Sequence, residues 1–432
     1  MTWLMMVYCA GLIRVNVFDA LGSLWARRFG FTLLAALAGC ASTTPHSDST
    51  RLRGAALDRE IQARMAAAKV PGLALALIED GRVTYVKAYG LRDLEQNLPL
   101  TTDTTMYAAS ITKTMFAYAV MTLVDERRID LDRSIADYLP KPLPSYEKYA
   151  DLGGDERWRK ITPRMLLSHT AGFPNFRYFT RDGRFDEHAK LTIEFEPGTR
   201  FAYSGEGINL MQFVLDNGIG IDTGRLIQER VFDRFGMASS GMVWRDAFAQ
   251  NLAIGYAESG KPLGHKKRTG VRAAGSMDTT IADYAKFLAG LVRCEGLSAR
   301  SCAEMKRAQI RIRSVQQFPT LDESTTTDND GIALSYGIGA AVYRSPSGPA
   351  WFKGGHDDGT NNIVLCLAES RECVLILSNS SNAESLFTYA FDATLGKTCF
   401  PWFWENFIPY DRPELRNAQT RAQPHPPCEA PR

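Results

Sequence analysis

In the stretch YAASITKTMF a serine hydroxyl, Ser110, stands three residues ahead of a lysine amine, Lys113, at the front of a long apolar run. Residues three apart share one face of a helix, so the two side chains can meet. A serine hydroxyl is a weak nucleophile until a base takes its proton. A lysine can be that base when burial lowers its pKa, because desolvation disfavours the ammonium. A helix N-terminus beside the serine adds partial positive charge and free N–H groups, which suit the negative charge that develops in acyl transfer. The plain alternative is an N-cap serine. The chain carries its own control: Ser145 and Lys148 have the same spacing after a proline-rich turn.

Two further stretches carry matching chemistry. FAYSGEGINL holds Tyr203, introduced by the turn-rich EPGTR. A tyrosine between two lysine ammonium groups ionises more easily and can serve as a general base. WFKGGHDDGTNN holds Lys353-Gly354-Gly355 beside a strand-like run, where small residues let a substrate backbone lie along a strand edge. Arg268-Thr269-Gly270 competes for that role but has no strand beside it.

The elements that must position these groups follow from periodicity. ALDREIQARMAAAKV has Leu57, Ile61 and Met65 at helical spacing, and GLALALIEDGRVTYVKAYG reads as a hairpin turning at Asp80-Gly81. A mostly helical middle runs from Ser110 to about Lys306. Strands return in YGIGAAVYR, NNIVLCLAE and ECVLILSNS before a closing helix in AESLFTYAFDATLG. With strands at both ends, the expected fold is α/β (α+β): one antiparallel sheet flanked by helices, with an inserted, mostly helical subdomain. The site is expected at the seam between sheet and helical part.

Together the three motifs resemble the penicillin-recognising serine hydrolases, the family of class C β-lactamases, D-alanyl-D-alanine peptidases and related esterases. The order Ser-Lys, Tyr, Lys-x-Gly before a strand is similar to theirs. So are ITPRMLLSHTAGFPNF, AAGSMDTTIADYAKF and YGIGAAVY, and the resemblance spans roughly Leu57 to Leu395. It implies that Ser110 forms an acyl-enzyme, that Lys113 and Tyr203 share the proton traffic, and that Lys353 holds Tyr203 and anchors a substrate carboxylate. Which of Lys113 and Tyr203 is the acting base stays open. The oxyanion hole would come from the backbone N–H groups of Ser110 and His356, with Gly355 and Gly205 also facing the substrate. No cofactor is implied.

The departures are specific. Gly205 stands where the family usually has an asparagine that contacts the substrate amide, and Asn209, four residues on, is not assigned that role. Gly354 replaces a common hydroxyl residue, which weakens the case for carboxylate binding. His169 reads as a loop anchor. Phe173, Phe176 and Tyr178 read as pocket lining or as core. The expected function is a β-lactamase-related serine hydrolase acting on an amide, lactam or ester carbonyl. The alternatives are a carboxylesterase or D-Ala-D-Ala-type peptidase of the same fold, or a slow-turnover penicillin- or peptidoglycan-binding lipoprotein. An α/β-hydrolase is excluded by the lack of a GxSxG elbow.

The remaining sequence bounds the setting. The chain has 432 residues, is 45% hydrophobic and carries a net charge of +2 without a basic stripe, so nucleic acid is not an expected partner. Arg27-Arg28 precede FGFTLLAALAGC, which reads as an export signal. Leu37-Ala38-Gly39-Cys40 resembles a lipobox that would lipidate Cys40 and anchor a periplasmic protein at the outer membrane. The expected divisions are a targeting segment over 1–39, a polar tether over 40–52, the hydrolase domain over 53–400 and a Pro-rich tail over 401–432. A monomer is expected. Beyond Cys9 and Cys40, six cysteines remain, as an oxidising compartment allows. Many pairings are possible, and the expectation is nearest-neighbour: Cys294 with Cys302, Cys366 with Cys373, Cys399 with Cys428. No CxxC or HExxH appears, so no metal site is expected.

Overall fold

The computed structural model describes residues 51–179 and 184–429. The targeting segment, Cys40 and the tether up to residue 50 lie outside them. Helix α1 (Gly54–Ala68) buries Leu57, Ile61 and Met65 along one face, and Lys69 ends it in a left-handed conformation. β1 (Gly72–Glu79) and β2 (Arg82–Asp93) meet at Asp80 and Gly81, whose φ angles of 48° and 71° suit a tight two-residue hairpin turn. β3 (Leu98–Pro99) closes that edge. Two short pairs, β4 (Met106–Tyr107) with β7 (Asp278–Thr279) and β5 (Gly255–Tyr256) with β6 (Pro262–Leu263), lie apart from the main sheet.

The chain returns through β8 (Ile310–Arg311), β9 (Ser335–Tyr336), β10 (Ala341–Ser345), β11 (Gly348–Asp357), β12 (Thr360–Leu367) and β13 (Glu372–Ser378). Among the described residues the main sheet has nine antiparallel strands, ordered β3-β2-β1-β13-β12-β11-β10-β9-β8. The β1–β13 pairing joins the two ends of the sequence in one sheet, as the strand pattern predicts.

Both faces of that sheet are covered. Alternate residues therefore enter two cores, which makes the central strands almost continuously apolar. Leu73, Leu75, Leu77, Ile363, Leu365, Val374 and Ile376 face one core. α1, α8 (Phe387–Leu395) and the buried Trp402, Trp404 and Phe407 cover it, so the sequence beyond residue 400 packs into the fold. Ala74, Ala76, Ile78, Val364, Leu375 and Leu377 face the other core, with α2 (Thr112–Asp125) and the helical middle. Every residue of α2 from Thr112 to Leu123 is buried, as its all-round apolar character requires.

Residues 112–306 carry α3 (Pro163–Leu167), α4 (Gly205–Gly218), α5 (Thr223–Ile227), α6 (Ile281–Val292) and α7 (Ala299–Lys306), but loops, turns and short strands make up more than half of this stretch, so it is less helical than its sequence pattern suggests. The side chains of Thr162, Ser204, Asp222, Thr280 and Ser298 cap these five helices. Three disulfides join the cysteine pairs expected from their spacing. Cys294–Cys302 ties the loop after α6 to α7, Cys366–Cys373 spans the β12–β13 hairpin, and Cys399–Cys428 fastens the C-terminal segment. They are compatible with an exported protein. Among the described residues no helix is long and apolar enough to cross a membrane.

Candidate active site

Ser110 sits in the tight turn Ala109–Ile111 that runs straight into α2. Ala109 before it has a φ of 47°, a left-handed conformation unfavourable to a residue with a Cβ. The neighbourhood holds it there. Ala108 N–H donates to Met277 O at 3.0 Å, Thr112 Oγ1 to Ala109 O at 2.6 Å and Asn362 Nδ2 to Tyr107 O at 2.9 Å. Gly355 on β11 presses against the same turn, since a Cβ there would come within 2.6 Å of Ala108 O and 3.1 Å of Ile111 N. A side chain at 355 would lift the strand off the serine. The backbone of Gly355 and His356 therefore runs beside Ser110, where an oxyanion could be received.

Lys113, three residues on, donates from Nζ to Ser110 Oγ at 2.9 Å and to Ala274 O at 2.6 Å. It is buried, and burial pushes its ammonium down to about 8; the nearby Lys353 charge lowers it further while Tyr203 opposes. Tyr203 is equally buried. Its ring lies 5.0 Å from Lys113 Nζ and 4.7 Å from Lys353 Nζ. Burial alone would raise its pKa, but the two ammonium groups outweigh it and bring the phenol down to about 8. Among the described residues the hydroxyl has no hydrogen bond of standard geometry, although Ser110 and Lys353 are close enough to favour its phenolate. Two groups of nearly equal acidity thus flank one serine, and either can hold its proton. Lys353, on β11, is buried and donates from Nζ to Gly354 O at 2.6 Å.

Ser110, Tyr203, Lys353, Gly355 and His356 line one cavity of about 400 Å³, together with Asn175, Phe176, Gln317, Phe318, Glu384 and Glu405. Ser145 and Lys148 do not line it, and Arg268 stacks over Tyr107 at 3.5 Å. His169 is buried and kept neutral by burial and by the Lys113 and Lys353 charges. Its Nδ1 accepts from Ser204 N–H at 3.2 Å, and its ring centre lies 4.5 Å from that of Tyr203. It anchors the tyrosine loop. Phe173 belongs to the core, whereas Phe176 lines the cavity and is 41% exposed.

Gly205 has a local cause. Its N–H donates to Asn175 Oδ1 at 3.0 Å, and a Cβ at 205 would come within 2.8 Å of Asn175 O. Asn175 therefore occupies the place a side chain at 205 would need, and it lines the cavity itself. Asn209, one turn further along α4, accepts from Ala274 N–H at 3.4 Å, on the residue whose carbonyl Lys113 contacts. Asn175 sits inside the motif-like ITPRMLLSHTAGFPNF, and the bare Gly205 was the signal that could have singled it out. Glu405, Gln317 and Phe318 lie in segments without motif or period, and their packing alone brings them here.

His356 stands on the rim with its Nδ1 3.0 Å from Glu384 Oε2. Burial would lower its pKa, but the bond to Glu384 wins and raises it. No cluster of His, Cys, Asp or Glu suited to a metal ion occurs among the described residues.

A turn-borne serine beside a buried lysine and tyrosine, over an antiparallel sheet, is an arrangement chemically able to carry acyl transfer. The chain matches the Beta-lactamase family model over residues 57–396 and belongs to that family. It is 25% identical to penicillin-binding protein 4 of Amycolatopsis lactamdurans over 80% of this chain and 90% of that one. It is 26% identical to the unguisins hydrolase ungD of Aspergillus violaceofuscus (strain CBS 115571), covering 59% of this chain but only 48% of that longer protein. The fold is similar to that of the octameric penicillin-binding protein homologue from Pyrococcus abyssi, with a TM-score of 0.62 and 24% identity over 79% of this chain and 77% of that one.

Proposed function

We propose that the protein hydrolyses an amide, lactam or ester through an acyl-enzyme on Ser110. The observation that carries this is the 2.9 Å contact between Ser110 Oγ and the buried amine of Lys113, whose pKa burial lowers to about 8. A neutral Lys113 or an ionised Tyr203 takes the serine proton as Oγ attacks the carbonyl carbon. The backbone N–H groups of Ser110 and His356 receive the oxyanion. The proton passes to the leaving group as its bond to the acyl carbon breaks; water then attacks the acyl-enzyme ester, the pair taking water's proton and returning it to Ser110 Oγ as the acyl–Oγ bond breaks and the carboxylic acid leaves.

A chromogenic cephalosporin, a short-chain nitrophenyl ester and a D-Ala-D-Ala peptide, assayed side by side, test this reading. Turnover of at least one, lost in a folded Ser110→Ala chain, is the expected result. Undiminished turnover in Ser110→Ala would end it.

Gly205 carries no side-chain amide, and this favours ester and simple amide substrates over strong β-lactamase activity. For location, the reading is an exported, periplasmic protein held by a lipid on Cys40; it rests on the lipobox-like sequence. Metabolic labelling with a fatty-acid probe, absent in Cys40→Ser, tests it.

A further inference from the structure

One end of the cavity holds a carboxylate that the acyl-transfer chemistry does not use. Glu405 lies on the segment after α8, between Trp404 and Phe407, both buried in the core. That segment is laced to residues 314–317. Gln317 N–H donates to Trp404 O at 2.8 Å, Trp404 Nε1 to Ser314 Oγ at 3.0 Å and Gln316 Nε2 to Phe403 O at 3.2 Å. The carboxylate is thereby placed over Gly354, the middle residue of Lys353-Gly354-Gly355. A Cβ on Gly354 would come within 3.2 Å of Glu405 Oε2. The absence of a side chain at 354 and the presence of this carboxylate are two halves of one arrangement.

The bonding of Glu405 is incomplete. Its Oε1 accepts one hydrogen bond, from Gln317 Nε2 at 3.1 Å. Among the described residues its Oε2 accepts none. Lys353 turns its Nζ to Gly354 O rather than pairing with it. Three other carboxylates line the cavity, Glu384, Asp357 and Asp358; Glu384 is engaged by His356 at 3.0 Å and Asp357 by Lys266 at 3.3 Å. Burial pushes the Glu405 carboxyl up to about 7, with Glu384 adding to that and Lys353, His356 and Gln317 opposing. The half-buried carboxylate has one hydrogen bond from the protein, and sealing it behind an uncharged ligand would cost free energy. A cation arriving from the cavity would complete its bonding.

We propose that Glu405 is a specificity-determining residue: the site takes an ester or amide whose group beside Gly354 carries a free ammonium, and it rejects a carboxylate there. An ammonium gains a charge-assisted hydrogen bond to Oε2. A carboxylate drawn toward Lys353 meets Glu405 at the same place, and like charges in a poorly solvated site repel. This inference rests on reading the cavity as the acyl-transfer site, yet it can be tested apart from turnover.

The test uses the Ser110→Ala chain, which cannot form an acyl-enzyme, and three probes of one shape: 3-phenylpropylamine, 3-phenylpropanol and 3-phenylpropanoate. Binding is followed by NMR titration at pH 8, above the Glu405 value of about 7. The amine should bind about tenfold tighter than the carboxylate, as one charge-assisted hydrogen bond allows. Adding Glu405→Gln should erase most of that ratio while the alcohol changes by less than about twofold. A carboxylate that binds as tightly as the amine, a ratio untouched by Glu405→Gln, or no binding by any probe would overturn the proposal. The first comparison needs no change at 405, so a Glu405→Gln chain that fails to fold still leaves the proposal exposed to it. Loss of the ratio in a chain whose Ser110 is active removes this inference alone, whereas a retained ratio in a chain without turnover removes the hydrolase reading alone.

Discussion

At the Tyr203 end of the cavity the ammonium groups of Lys113 and Lys353 crowd a buried phenol; at the Glu405 end a carboxylate lies over Gly354, next to Lys353, in walls that also hold Glu384, Asp357 and Asp358. Burial acts on both ends in the same sense, against charge, and the outcomes differ because the neighbours differ. Two cations overcome the desolvation of Tyr203 and pull its acidity down to about 8. Around Glu405 the cations do not overcome it, and the carboxyl rises to about 7. The first end is suited to moving a proton, the second to holding a charge on the substrate.

The largest effect should come from emptying the cationic end. Lys113→Ala should lower kcat/KM by about a thousandfold or more with the fold retained, since groups acting as one catalytic unit fail together. Tyr203→Phe should cost about a hundredfold or more, the range for a general base. Circular dichroism and steady-state kinetics on the same preparations check both. If Lys113→Ala were as active as the parent chain, the two ends would not differ in the way described.

Next is the packing that joins the ends. Gly355→Ala places a methyl 2.6 Å from Ala108 O, and backbone on both sides leaves little room to yield. A loss of about 1–3 kcal/mol in unfolding free energy is expected, with a fall in activity because the strand moves from Ser110. Gly205→Asn should also destabilise, since its Cβ meets Asn175 O at 2.8 Å. Restoring the asparagine usual in the family should therefore lower turnover rather than raise it. Thermal melts and kinetics on the two variants decide this.

At the acidic end, the folded carboxyl of Glu405 titrates near 7 against an ordinary 4.5. The folded state therefore holds the proton to higher pH than the unfolded chain. Glu405 favours folding least above pH 7, and its contribution falls as pH rises from about 4.5 to 7. Glu405→Gln should gain about 3 kcal/mol over the parent chain at pH 8 and close to nothing at pH 4. Chemical denaturation at the two pH values measures the difference.

The smallest effect concerns Lys353. kcat/KM should rise with pH through about 8 as the proton leaves the Lys113–Tyr203 pair. Lys353→Gln removes a positive charge that lowers both groups, so the midpoint should move upward. A pH profile with an unchanged or lower midpoint would break the link between Lys353 and the pair.

The two ends also differ in how far they could be read from sequence. Ser110 and Lys113 are three residues apart on one helix, and Lys353 precedes a strand with a plain apolar pattern. Local spacing thus carries their geometry. The β1–β2 turn at Asp80-Gly81 and the helical face of Leu57, Ile61 and Met65 were legible for the same reason. Glu405 follows a tryptophan in a segment with no period, read as a tail. Its arrival over Gly354 depends on Trp404 and Phe407 finding the core and on Gln317 crossing from a loop almost ninety residues earlier. Asn175 is an intermediate case: its segment was recognisable, but its role depends on Gly205 having no side chain, a contact visible only when both loops are placed. Non-local packing and paired absences leave no pattern in a single stretch of sequence.

The most direct test of the central claim is to treat the protein with a fluorophosphonate and locate the adduct by peptide mass spectrometry. The account predicts one adduct, on Ser110, formed faster as pH rises through about 8 and absent in Ser110→Ala. Labelling of another residue, or labelling that survives Ser110→Ala, would contradict it.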